Sequence, residues 1–216
     1  MSNPSIAGNA CVAYLVRHGA TEVNVANPPR LQGRATDLGL SSEGKVQAEQ
    51  TAAFFAARKV DAVFSSPLVR AQETAAKIAG SHNLAVETID ALVEGDVGDW
   101  EGMSWPEIEA ADRDYYDRYM ADTGKVPYLG GESFQDVQDR ALPAITKLMQ
   151  ANLGREIVVV AHNIVNRTTL AALLDVPIGR ARQISQDNCG INVLRLRDGE
   201  LKVRMVNVAF HLETSS

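Results

Sequence analysis

The chain has 216 residues, 45% of them hydrophobic and 22% charged, with a formal net charge of −6. That length suits one large α/β domain burying roughly 70% of its unfolded surface, and the composition excludes disordered and fibrous classes. The negative balance argues against nucleic-acid binding through a general basic face, and the lack of any run of 18 apolar residues argues against a membrane span. Residues 1–10 lack the charged and apolar regions of a signal peptide and read as a flexible tail before a single domain over 11–212, so a cytoplasmic location is expected. Cys11 and Cys189 each stand at the start of a predicted strand and read as small buried residues in a reduced setting.

Strand-like runs recur at 11–16, 62–65, 86–89, 157–161, 191–196 and 201–208. Helical patterns separate most of them. Residues 41–57 open on serines suited to capping, and 68–79 are alanine-rich after Pro67, a residue that a first helical turn accepts. Residues 134–151 follow Ser133, an expected N-cap, and carry Val137, Ala141, Leu142, Ile145 and Leu148 at helical spacing, with Pro143 expected to bend or split the helix. A further helix over 163–174 ends at Asp175-Val176-Pro177. The alternation predicts a three-layer αβα sandwich with a mainly parallel central sheet and one antiparallel edge strand, because Arg197-Asp198-Gly199-Glu200 is a turn between the last two strands. The least regular part, 95–131, holds Trp100, Trp105, Tyr115, Tyr116, Tyr119 and Tyr128 and reads as a helical excursion. It is either a satellite core of aromatic packing or a substrate cover.

Three strand ends carry the chemistry. The first is Tyr14-Leu15-Val16-Arg17-His18-Gly19, where an apolar run stops at a fixed cation, an imidazole and a glycine. Arg17 offers a fork matching phosphate oxygens, His18 can be a neutral nucleophile near pH 7, and Gly19 leaves the backbone free to approach a ligand or take positive φ. Taken alone, the tripeptide suits a solvated loop equally well. The second is Ser65-Ser66-Pro67-Leu68-Val69-Arg70, placing Arg70 in a first helical turn where it can reach an anion or pair with Glu73. The third is Val160-Ala161-His162-Asn163, a second histidine that a parallel sheet brings to the same edge as the first. Glu94 follows the third strand and can face that edge, with Asp96, Asp99 and Glu101 as rival carboxylates.

The ordered set Arg17-His18-Gly19 with Thr21 and Asn24, Leu31-Gln32-Gly33, Ser65-Ser66-Pro67-Leu68 with Arg70, Glu94 before Gly98 and Trp100-Glu101-Gly102, and Ala161-His162 resembles the histidine phosphatase superfamily. That superfamily includes the cofactor-dependent phosphoglycerate mutases. The resemblance runs from Val12 to Phe210-His211-Leu212. It implies that His18 is the phosphorylated nucleophile, that Arg17, Arg70 and His162 surround the phosphoryl group, and that Glu94 is the proton donor to the leaving oxygen. Asn24, Gln32, Gly33, Arg34 and Asn163 are the expected substrate contacts. Two of them depart from the family pattern: Asn163 stands where many relatives have glycine, and Arg34 where an aromatic residue is frequent. Arg34 reads as a contact to a second negative group or as a surface residue. His82 is expected to be structural, and His211 belongs to the terminal pattern and is not expected to be catalytic.

Two arginines and a histidine can spread the charge of a transferring phosphoryl group without a metal, so no metal or other cofactor is expected. The leading expectation is a phosphatase that hydrolyses a small phosphorylated metabolite through a phosphohistidine. A phosphoglycerate mutase is the alternative, disfavoured by the short stretch between Glu94 and His162 and by Gly130-Gly131-Glu132-Ser133. A silent phospho-ligand or protein-binding module on the same fold is the third reading. A homodimer is the default oligomeric expectation.

Overall fold

The structure, a computed structural model, describes residues 9–213. Most of the tail expected over 1–10 lies outside the described residues, and Ala10 already belongs to the first strand. Along the chain come β1 (Ala10–Arg17), a short α1 (Glu22–Val25), α2 (Ser42–Ala56), β2 (Ala62–Ser65), α3 (Val69–Gly80) and β3 (Val86–Thr88). There follow α4 (Trp105–Ala111), α5 (Arg113–Ala121), α6 (Phe134–Ala151), β4 (Glu156–Ala161), α7 (Asn163–Leu173), β5 (Ile191–Arg197) and β6 (Glu200–Val208). No helix among the described residues is long and apolar enough to cross a membrane.

The six strands form one sheet in the order β3-β2-β4-β1-β5-β6. The strands from β3 to β1 are parallel, β5 runs against β1, and β6 pairs antiparallel with β5. The expected antiparallel pair is thus present, but the reversed strand is β5, one place inside the edge. The period of two along each strand sorts the core into two layers. Leu15, Phe64, Ile157, Val159 and Leu194 face α6 and α7, while Val16, Val63, Val158 and Val160 face Phe55 of α2 and Ala71, Ala75 and Ile78 of α3. Both layers are closed by helices, which is why β4 is buried at all six of its positions and, after Glu156, reads in the sequence as an unbroken apolar run.

Two expectations are corrected. Helix α6 neither breaks nor splits at Pro143, running through all 18 residues. Pro143 and Asp139 are both exposed, so the carbonyl that loses its partner meets water, while Val137, Ala141, Ile145 and Met149 are buried on the opposite face. For Gly19 the expected alternative of a positive φ is corrected, and close packing supplies a reason the sequence did not show. Gly19 does not take a positive φ, and a Cβ there would stand 2.6 Å from the Gly44 carbonyl oxygen. A Cβ on Gly44 would in turn run into the backbone of Ala20. The two glycines let the start of α2 press directly on the chain leaving His18. Accordingly, Gly44→Ala is expected to cost about 1–3 kcal/mol through overpacking. Denaturant unfolding measures it, and an unchanged midpoint would mean that the contact yields freely.

Candidate active site

Registers Arg17↔Ala161 and Ser65↔Val160 align the carboxyl ends of β1, β4 and β2. The residues just past those ends, His18, His162 and Ser66, therefore meet at one edge. The imidazoles of His18 and His162 lie 5.1 Å apart between centroids. Both are buried. His18 Nδ1 is 2.7 Å from the Gly19 carbonyl oxygen, which can only accept, so Nδ1 carries the proton. Nε2 keeps its lone pair, and Arg70 Nε donates to it at 3.3 Å. Burial, then the charges of Arg70 and Arg17, hold the His18 pKa well below its ordinary value, so the ring stays neutral. His162 is depressed by burial, Arg70, His18 and Arg17; its Nε2 lies 2.7 Å from Ser66 Oγ.

Arg70 is fully buried and spans the site to the loop after α1, giving Nη2 to the Gly33 carbonyl at 2.8 Å and Nη1 to the Thr36 carbonyl at 3.2 Å. Arg17 donates Nη1 to the Gln186 carbonyl at 2.6 Å. Arg17 Nε and His162 Nδ1 are buried with no protein partner among the described residues. Buried polar groups left in that state are costly, and in a strand-end pocket they suit the oxygens of an anion.

Glu94 lines the same pocket as His18. Its Oε1 accepts from Gly95 N–H at 2.9 Å and Oε2 from Ile164 N–H at 3.2 Å. Burial raises its pKa against the pull of those N–H groups and of Arg70 and Arg17. Arg140 on α6 fixes the backbone around it, donating to the carbonyls of Ala91, Val93 and Glu94 while paired with Glu132. The rival carboxylates have other duties: Asp96 pairs with Arg34 at 2.6 Å, Glu101 accepts from Gly33 N–H at 2.9 Å, and Asp99 is exposed.

The cavity, about 150 Å³ and open to solvent, is lined by Arg17, His18, Asn24, Gln32, Glu94 and Asn163 among others. Of the expected substrate contacts, Gly33 and Arg34 stand outside that lining, and of the expected phosphoryl ligands Arg70 and His162 lie behind it, next to His18. Gly33 instead holds Arg70, and Arg34 is a half-exposed ion-pair partner of Asp96. The sequence reading quoted Ser66 only within its motif, without a role, and missed the loop at Gln186 and Asn188 and two further arginines in the cavity wall, Arg167 and Arg182. Arg167 lies four residues, one helical turn, past Asn163, a spacing that could have flagged it. Asn188, which donates to the His18 carbonyl at 3.0 Å, carries no such signal.

The excursion over 95–131 is not a satellite core. Trp100, Tyr119 and Tyr128 belong to the main core on the α6 and α7 side, with edge-to-face contacts from Trp100 at 5.0 Å to Tyr119 and 5.8 Å to Tyr128. Trp105 and Tyr128 also line the cavity. The aromatic packing thus forms the wall itself. His211 stands away from it, with Nε2 3.1 Å from Thr51 Oγ1 of α2. Cys11 and Cys189 are free and buried, with burial pushing their thiols up to about 12 and about 11.

A sequence model of the histidine phosphatase superfamily (branch 1) matches residues 13–209. The chain belongs to that superfamily. It is 31% identical over 198 residues to phosphoserine phosphatase 1 of Hydrogenobacter thermophilus, covering 92% of each chain. It is 35% identical over 171 residues to glucosyl-3-phosphoglycerate phosphatase of Mycolicibacterium vanbaalenii, covering 76% of this chain and 74% of that one. Among solved structures, the phosphoserine phosphatase of Entamoeba histolytica in complex with 3-phosphoglyceric acid superposes with a TM-score of 0.84 at 28% identity, covering 94% of this chain and 100% of that one.

Proposed function

We propose that His18 of this superfamily member attacks a phosphomonoester and that the chain returns the phosphoryl group to water. The chain is a phosphoric monoester hydrolase acting on a small phosphorylated metabolite, as its relatives are. The observation that carries the assignment of roles is the fixed tautomer of His18, whose lone pair on Nε2 lies beside Arg70 Nε while Glu94 lines the same cavity.

In the first step the Nε2 lone pair forms a bond to phosphorus, the ester P–O bond breaks, and Glu94 gives its proton to the departing oxygen. Arg17, Arg70 and His162 take up the charge on the three equatorial oxygens, with the Asn163 and Asn24 side chains at the cavity wall. In the second step Glu94, now ionised, takes a proton from water as its oxygen attacks phosphorus. The P–N bond breaks, its electron pair returns to Nε2, and phosphate leaves. Incubation with 3-phosphoglycerate tests the acceptor: inorganic phosphate is expected, and formation of the 2-isomer dependent on a bisphosphate primer would mean a mutase instead.

Arg70 offers a second test. Arg70→Lys keeps a cation but loses the fork joining His18, Gly33 and Thr36, so kcat/KM should fall by about 10- to 100-fold, the worth of one charge-assisted hydrogen bond. Steady-state kinetics equal to wild type would place Arg70 outside the reacting centre.

A further inference from the structure

The cavity wall carries more positive charge than one phosphoryl group uses. Arg17 in that wall, and Arg70 bonded to His18 Nε2, serve the reacting end. Arg30 also lines the cavity but is neutralised by Glu107 at 3.1 Å, and Arg34 is neutralised by Asp96 outside it. Arg167 and Arg182 differ. Both line the cavity and are half-buried, and neither forms an ion pair among the described residues.

Each is held in place by something other than a carboxylate. Arg167 gives Nε to the Ile184 carbonyl at 2.9 Å, which orients its fork. Arg182, in the 3-10 turn Ile178–Gln183, lies over the Trp105 ring at 4.6 Å from the centroid. Burial and the nearby charge of Arg182 both lower the Arg167 pKa, so the two cations feel each other. Tyr128 and Glu94 are the other titratable groups acting on Arg167. Two like charges against an aromatic wall are costly unless an anion joins them. Position completes the picture: Arg167 follows Asn163 by four residues on α7, which sets it about 6 Å further along the same helix face, away from His162.

We propose that Arg167 and Arg182 form a subsite for a second anionic group, so that the preferred substrates are phosphomonoesters carrying a carboxylate or another phosphoryl a few ångströms from the reacting one. This rests on the phosphatase reading above and names its substrate class. The two guanidiniums grip the far end of the substrate and leave the ester at His18.

The test compares 3-phosphoglycerate, fructose 1,6-bisphosphate and glycerol 3-phosphate by released phosphate, in wild type, Arg167→Gln, Arg182→Gln and Arg167→Lys. Wild type should favour at least one of the two doubly anionic compounds over glycerol 3-phosphate in kcat/KM. That ratio should fall about 10- to 100-fold in each glutamine variant and recover in part in Arg167→Lys, which keeps the charge. Preference confined to 3-phosphoglycerate assigns a carboxylate, and preference confined to fructose 1,6-bisphosphate a second phosphoryl. Ratios within twofold of wild type in both glutamine variants, or a wild type with no such preference, overturn the subsite. Thermal melts identify a variant that has lost its fold, and Arg182→Gln, on a separate element, then carries the comparison. Phosphohistidine formation from p-nitrophenyl phosphate separates the two levels. Labelled wild type with unchanged ratios sinks the subsite alone; absence of both label and turnover sinks the phosphatase reading.

Discussion

Replacement of His18 by alanine abolishes the acid-labile phosphoenzyme and lowers turnover by roughly 10⁴- to 10⁶-fold, the scale on which removing a covalent nucleophile acts. The expectation is this large because no second nucleophile replaces it: His162 is engaged with Ser66 through Nε2 at 2.7 Å, and Cys189 holds a thiol pushed up to about 11. The fold should survive, since His18 contributes one imidazole to an edge whose backbone is fixed by its own N–H to the Ala161 carbonyl at 3.0 Å. Rapid mixing with a phosphomonoester followed by denaturing quench reads the label, and circular dichroism reads the fold. A folded variant that still accumulates phosphoenzyme would assign the nucleophile elsewhere.

The second large effect is at Glu94. Glu94→Gln keeps the shape and removes the proton, so hydrolysis of an alkyl phosphate should drop by roughly 10²- to 10⁴-fold. With p-nitrophenyl phosphate, whose leaving group needs no proton, the loss in kcat/KM should be much smaller. The pH dependence follows from directions already given. Glu94 must be protonated for the first step, and burial raises its pKa, so kcat/KM falls as pH rises through that raised value. His18 must be neutral, and its depressed pKa puts the acid limb well below 6.5. The glutamine variant loses the alkaline limb that belongs to Glu94. An equal loss on both substrates, or an alkaline limb unmoved in the variant, would remove Glu94 from the acid role.

What was readable in the sequence was whatever a strand carries to its own end. The apolar runs before His18, Ser66 and His162 are buried on both faces, so each reads as an uninterrupted block, and the residue after it is placed by sheet register alone. Arg70 was legible for a related reason, because it follows such a strand within a few residues, whereas Glu94 follows the exposed edge strand β3 and was legible from the motif around it. Residues whose positions depend on packing between distant elements were not legible. Pro143 reads as a bend or a split, and only its exposure on α6 shows why the helix is not split. Arg34 reads in the sequence either as a substrate contact or as a surface residue, and its pairing with Asp96 depends on a loop 62 residues away. Arg182 belongs to a 3-10 turn with no periodic signal, brought to the cavity by the stacking of Trp105.

The reversal of β5 matters in time as well as in space. Because β5 runs against β1, the segment feeding into it reaches the edge where β1 ends, and there Gln186, Asn188 and Cys189 bond to Arg17 and His18. Those partners are about 170 residues apart along the chain, a non-local closure of the kind that forms late. During synthesis the nucleophile emerges early and the residues that hold its backbone emerge near the end. Catalytic competence is therefore acquired only once the last two strands have docked.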